Sequence, residues 1–254
     1  MADDRQAPEP VLVAAAGDIH IRPGLEARFG EALQALDSVQ AILLAGDLTG
    51  QGEVDEAEAL ARACRLAPAP VVAVLGNHDW HLGHAQEIVA VLREAGVHVL
   101  DRDTPAFALD GGLLGVAGTK GFVGGFRESH LPDFGEPLLR EVYAETGREV
   151  DALAEGLEQV SGCERRVVLL HYAPTSSTLV GEREPIWNLL GSERLAGPIV
   201  RDPPDLVFHG HAHAGRPEGQ IGAIPVFNVA WPVIGGELAV FDLAGAQRSV
   251  RSSE

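Results

Sequence analysis

Five short clusters of aspartate, histidine and asparagine punctuate this chain: Gly17-Asp18-Ile19-His20, Gly46-Asp47, Gly76-Asn77-His78-Asp79, His171, and Gly210-His211-Ala212-His213. Their side chains offer imidazole nitrogens and carboxylate or amide oxygens, with no cysteine beside them. A nitrogen and oxygen donor set without thiolate suits manganese, iron, zinc or nickel rather than copper(I) or calcium. Each cluster alone says little. A single Gly-Asp ordinarily marks a turn, and a single histidine at a strand end is ordinarily just hydrogen-bonded. Asp18 and His20, like His211 and His213, are two residues apart, which puts both side chains on one face only where extended geometry continues. What is specific is the ordered series, because each member follows an apolar run.

Those runs are the elements that must position the clusters. They span residues 11–16, 41–45, 71–75, 167–170 and 206–208; most are rich in valine, leucine or isoleucine, and none alternates with polar residues. That is the pattern of strands buried on both faces. Helix-like stretches follow at 25–36, 53–66 and 84–95, with Val54, Ala57, Leu60 and Ala61 at helical spacing in the second. Strand–helix alternation predicts an α/β fold. The carboxyl ends of strands in such a sheet open on one side, where these folds bind ligands, so five loops can converge on one point. Glycines beside the donors let the backbone turn sharply and keep bulk away from that point.

The middle and end read differently. Residues 107–109 and 113–116 flank Asp110-Gly111-Gly112, a hairpin signal. Residues 226–229 and 238–241 also read as antiparallel strands, separated by a turn containing proline and glycine, so a second sheet with antiparallel pairs is expected to join the first. A long amphipathic helix is predicted over 136–160, with Pro137 in its first turn and an apolar stripe of Leu139, Val142, Tyr143, Thr146, Val150, Leu153, Leu157 and Val160. From Glu128 to Glu158 nine acids stand against Arg140 and Arg148, the pattern of a solvated outer face.

Composition excludes several function classes. With 254 residues and no long linker, one domain over 1–254 is expected, with 1–10 as a flexible tail. A chain of this size needs no disulfide or metal merely to fold. Two cysteines, Cys64 and Cys163, rule out a disulfide scaffold or a cysteine zinc cluster and read as packed thiols. A net charge of −18 disfavours any nucleic acid polymer as partner. No stretch approaches the roughly 20 apolar residues of a membrane span. The amino terminus lacks the basic start and apolar stretch of a secretory signal, which with reduced thiols points to a cytoplasmic protein.

In this order, the five clusters resemble the signature of calcineurin-like metallophosphoesterases: Asp-x-His, Gly-Asp, Gly-Asn-His-Asp/Glu, His and Gly-His-x-His. The resemblance runs from Asp18 to His213. It implies a four-layer α/β/β/α sandwich with two mixed sheets and a site for two divalent or trivalent transition metals (Mn, Fe, Zn or Ni). Carried over by motif, Asp18, His20 and His213 hold one metal, Asn77, His171 and His211 the other, and Asp47 bridges them. The resemblance further implies hydrolysis of phosphate esters by attack of a hydroxide shared between the metals. His78 would stand by the scissile phosphate, stabilising charge or protonating the leaving oxygen, with Asp79 holding its ring. The other reading of Asp79 is a cap on the helix that follows. Three carboxylate or amide oxygens and four imidazoles neutralise only part of a +4 metal pair, so phosphate is still attracted. Metals roughly 3.5–4 Å apart can clamp the oxygens of an in-line displacement.

Departures from the family's branches narrow the substrate. Ser/Thr protein phosphatases usually carry arginine where this chain has Leu75, and glutamate where it has Asp79. Purple acid phosphatases place a tyrosine where Gly50 stands. The DNA-repair exonuclease branch usually has a capping domain and a basic surface, which 254 residues at −18 do not fit. Class III cyclic-nucleotide phosphodiesterases share the wording Gly46-Asp47-Leu48-Thr49 but commonly have a second histidine where this chain has Tyr172. The expectation is a small-molecule phosphoesterase, either a cyclic-nucleotide phosphodiesterase or a broad phosphatase. A Ser/Thr-type protein phosphatase and a non-catalytic protein-binding scaffold are the alternatives; the full ligand set and His78 argue against the scaffold.

Other residues carry weaker signals. His209 lies inside the last apolar run and reads as packed or hydrogen-bonded in the sheet. His81 and His84 either line the entrance or serve as solvent-facing or helix-start residues. His98 and His130 have no motif around them. Residues 118–125, with Lys120 as the sole lysine of the chain, either approach a phosphate or form a tight loop between sheets.

Overall fold

In a computed structural model, which describes residues 10–127, 129–244 and 247–249, the apolar runs become strands of two six-stranded sheets. The chain first lays down β1 (Leu12–Ala16), β2 (Ala41–Ala45), β3 (Val71–Val74), β4 (His98–Leu100), β5 (Ala106–Ala108), β6 (Leu114–Thr119), β7 (Gly125–Phe126) and β8 (Ser129–His130). It continues with β9 (Arg165–Leu170), β10 (Leu206–His209), β11 (Glu218–Ile221), β12 (Ile224–Asn228), β13 (Ala239–Asp242) and β14 (Gln247–Ser249). The helices are α1 (Glu26–Gln34), α2 (Val54–Cys64), α3 (Ala85–Glu94), α4 (Pro137–Gln159), α5 (Trp187–Leu190) and α6 (Ala196–Arg201).

The first sheet has the order β14-β13-β1-β2-β3-β4 and the second β11-β12-β10-β9-β6-β5. In the first, β1 to β4 run parallel and β13 pairs antiparallel with β1. In the second, β6, β9, β10 and β12 run parallel, with β5 and β11 antiparallel at the edges. Both sheets are therefore mixed.

Side-chain alternation explains the layering. Along β2, Ile42 and Leu44 pack with Phe29, Leu33, Leu60, Ile88 and Leu92 of the first three helices. Ala41, Leu43 and Ala45 face the other way, in one cluster with Val116, Val167, Leu169 and Phe208 of the second sheet. The outer face of that sheet, through Val168, Leu170 and Val207, is covered by Leu153 and Leu157 of α4 and Ile199 of α6. Strands buried on both faces show no polar alternation, which is why the runs were uniformly apolar. The result is the expected α/β/β/α sandwich. Among the described residues no helix is long and apolar enough to cross a membrane.

Two expectations are corrected by this architecture. The strands around 226–229 and 238–241 do not pair with each other: β12 lies in the second sheet and β13 in the first. The segment between them crosses the end of β1, where Gly17 N–H donates to Val229 and Trp231 N–H donates to Gly17. The acidic stretch is not wholly solvated, since Glu149 is 3% exposed; Glu128 lies outside the described residues, as do 1–9. The Asp110-Gly111-Gly112 hairpin is borne out, joining antiparallel β5 and β6.

Candidate metal centre

All five clusters meet where the carboxyl ends of the two parallel strand sets face each other. Asp18 and His20 follow β1, Asp47 follows β2, Asn77 follows β3, His171 follows β9, and His211 and His213 follow β10. Asp18, Asp47, His171 and His211 form one group; Asp18, His20 and His213 a second; His20, Asp47 and His78 a third. Within each group the ligand atoms lie within 4.8 Å of one another.

Extended geometry does not continue past the strands. Asp18, His20, Asp47 and His211 have φ of 55°, 46°, 48° and 69°, in the left-handed region. For residues with a side chain such backbone costs about 1–3 kcal/mol each and persists where surroundings over-determine it. Here the 18–21 loop is laced to the 46–48 loop: Asp18, His20 and Ile21 N–H donate to the Gly46, Asp47 and Leu48 carbonyls at 2.9, 3.0 and 2.9 Å. Two glycines are required by close approach. A Cβ on Gly76 would run into the Asp47 carboxylate, and one on Gly210 into that of Asp18.

Backbone acceptors set the histidine tautomers. His20 Nδ1 faces the Thr49 carbonyl at 3.2 Å and His171 Nδ1 the Ala45 carbonyl at 2.9 Å, so each ring donates there and leaves Nε2 as a bare acceptor. His171 Nε2 then stands 2.9 Å from Asn77 Oδ1. Asp47 turns its two oxygens to different partners: Oδ1 is 3.4 Å from His171 Nε2, and Oδ2 is 3.9 Å from His20 Nε2.

Charge makes the same case. Asp18, Asp47 and Asp79 are 2%, 1% and 0% exposed. The ion pairs of Asp18 and Asp47 among the described residues are all with histidines. Buried carboxylates without lysine or arginine need another cation. Burial works to raise the Asp18 carboxyl, but the hydrogen bond from His213 at 2.8 Å, with the His171 and His213 rings and the His211 N–H, holds it below the usual range. That same bond raises His213. Burial, with the His171 ring beside it, pushes His211 down to about 3, so its imidazole is neutral and able to ligate. The donor set fits metal ions, with the His213 proton that bonds Asp18 to be displaced on binding.

His78 and Asp79 do not form the expected pair. His78 Nδ1 lies 2.8 Å from the Gly50 carbonyl, which fixes the ring and leaves Nε2 3.9 Å from Asp47 Oδ2. The Asp79 carboxylate instead accepts Leu48 N–H (3.2 Å), Thr49 N–H (2.8 Å), the Thr49 hydroxyl (2.6 Å) and Gly76 N–H (2.8 Å). It neither holds the His78 ring nor caps α3; it ties the Asp47 loop to the Asn77 loop.

Several neighbours were missed or left open by sequence. His81 packs against His78 with the rings tilted by 40° and centroids 4.2 Å apart, whereas His84 is the exposed residue preceding α3. Tyr172 packs on His211 at 4.6 Å. The 118–125 segment is a loop whose Lys120 carbonyl accepts His171 and Tyr172 N–H, both at 3.1 Å. His209 is buried in the sheet as expected, and Cys64 is a buried thiol whose pKa burial pushes up to about 12. The side chains of His213, His78 and His20 are 45%, 31% and 25% exposed, so the cluster opens to solvent on their side.

The chain belongs to the calcineurin-like phosphoesterase family, whose model matches residues 11–215. Its fold is similar to that of the phosphopantetheinyl hydrolase PptH from Mycobacterium tuberculosis (TM-score 0.64, 17% identity, 87% of this chain and 89% of that one). TT1561 of Thermus thermophilus is also similar (0.62, 19%, 94% and 97%). A third is GAP50, the anchor in the inner membrane complex of Plasmodium (0.54, 11%, 91% and 80%). Among curated proteins, none matches the chain.

Proposed function

We propose that this protein hydrolyses small-molecule phosphate esters, either diesters of the cyclic-nucleotide kind or monoesters of broad range. Asp18, His20 and His213 would hold one transition metal, Asn77, His171 and His211 a second, with Asp47 shared. The observation that carries this reading is the convergence of these donors, buried on one side and open to solvent on the other. Metals bound there supply Lewis acidity and a nucleophile at neutral pH.

The chain's own groups do the rest. Asp47 is kept in place by the His78 N–H, which donates to Oδ1 at 2.8 Å. His78, anchored through Nδ1 to Gly50, presents Nε2 at the open side. There it holds a proton for the leaving oxygen or places positive charge beside the phosphoryl oxygens. Asp79 is a positioning residue, acting through the two loops it joins. A phosphopantetheinyl hydrolase among the fold's neighbours is in keeping with phosphoester chemistry.

A scaffold role is the second reading, favoured by the likeness to an anchor protein of this fold. Hydrolysis of bis(p-nitrophenyl) phosphate and p-nitrophenyl phosphate, each with manganese, separates the two. Turnover of either supports the enzyme, and preference between them sorts diesterase from monoesterase. No turnover of either by metal-loaded protein favours the scaffold.

A further inference from the structure

Two buried polar side chains outside the five clusters lie beneath the 210–213 loop. Strands β10 and β12 are parallel neighbours, and their last residues, His209 and Asn228, are register partners. They are 0% and 1% exposed. Polar groups buried to that degree are costly unless hydrogen-bonded. Each makes two bonds here, one of them into the loop. His209 Nδ1 donates to the Gly210 carbonyl at 2.7 Å, which leaves Nε2 to accept the Thr178 hydroxyl at 2.8 Å. Asn228 Nδ2 donates to the Ala212 carbonyl at 2.7 Å, while its Oδ1 accepts Ala230 N–H at 3.1 Å.

The two pinned carbonyls alternate with the two donor histidines. Both carbonyls are thus tied to residues at the ends of β10 and β12, with His211 between them and His213 just after the second. Between the pins His211 adopts φ 69°, and its N–H donates to Asp18 Oδ2 at 2.8 Å. An L-residue keeps that backbone only where its surroundings dictate it.

We propose that His209 and Asn228 are paired positioning residues, which hold the 210–213 loop in the conformation that delivers His211 to one metal set and His213 to the other. This rests on the two-metal reading above. A ligand substitution on this loop removes a donor from one set, whereas a slackened loop loosens both. Partners behind metal ligands typically govern affinity by about 10–100-fold.

Chelator-stripped protein titrated with manganese by calorimetry tests the proposal. Asn228→Leu and His209→Leu are each expected to weaken both metals together by about 10–100-fold. His209→Asn, whose amide can still donate to the Gly210 carbonyl, is expected to recover most of that loss. Thr178→Val, which removes only the hydroxyl behind His209, should give a smaller loss of the same kind and serves where a leucine variant does not fold. Unchanged affinity in the folded variants, with only the melting temperature lowered, would make these residues merely structural and overturn the proposal. If wild-type protein takes up no metal, the failure lies with the site reading instead.

Discussion

On the first sheet's side, one buried carboxyl group, Asp79, draws the loops bearing Asp47 and Asn77 together, and backbone bonds lace the loop bearing Asp18 and His20 to the Asp47 loop. On the second sheet's side, the loop bearing His211 and His213 is pinned by two uncharged side chains, His209 and Asn228. Burial lowers the His209 pKa to about 4, so that ring adds no charge at neutral pH. The first half thus carries three buried carboxylates at the site and the second none. The Asp79 carboxyl gathers four donors at once, but burial and the neighbouring Asp47 raise its pKa. The lesson is that the first half is under electrostatic load without cations, while the second is a neutral frame. Metal should therefore act mainly as the missing charge of the first half, and the melting temperature should rise with the logarithm of free metal concentration above its Kd.

The largest break in this comparison comes from Asp47, which faces both donor sets. Asp47→Asn is expected to weaken both metals by more than about 100-fold and to abolish most turnover. Loss of one equivalent with the other still tightly held would show that Asp47 serves a single metal. His78→Asn comes next. It should keep both metals and slow turnover by about 10²–10⁴-fold on an ester whose leaving group is an alkoxide. A nitrophenyl ester, which needs no proton on departure, should lose less. Equal losses would assign His78 to charge stabilisation, and loss of metal would make it a ligand.

Asp79 and Asn228 sharpen the contrast between the charged and the neutral clamp. Asp79→Ala strands three buried N–H donors and should cost about 3–5 kcal/mol in urea unfolding of the metal-free protein, against about 1–3 kcal/mol for Asn228→Ala. Equal costs would remove the distinction. The smallest effect concerns Glu149, a titratable holder set further back on the second side, whose carboxyl group accepts Gly121 N–H at 3.0 Å beside the carbonyl that holds His171. Burial raises this carboxyl above the usual glutamate range, against the pull of Lys120. The folded state therefore keeps the proton to higher pH than the unfolded chain, and stability is lost as pH rises through the raised value. Glu149→Gln lacks that loss, so its stability relative to wild type should improve from pH 5 to pH 8. A flat or opposite trend in denaturant midpoints would contradict the assignment.

Much of the first half was legible because its residues sit in short motifs at the ends of apolar runs. Gly46-Asp47 and Gly76-Asn77-His78-Asp79 could be read as donors before any contact was known. The partners of Asp79 could not, because Leu48 and Thr49 lie about thirty residues away and no spacing rule links them. Asn228 carried no local signal at all: it matters through its register with His209, which is a property of the sheet. Glu149 did leave a trace, standing three residues after Thr146 and four before Leu153, within the helix's apolar stripe. The acid count around it hid that position. The separation of β12 from β13 was likewise set by where the chain crosses β1, a long-range pairing that turn residues do not encode.

The central claim is a site for two metals built from both halves. Elemental analysis of protein purified without chelator measures it directly, and about two equivalents of transition metal per chain are predicted. A value near zero, with no uptake when manganese is added, would contradict the account.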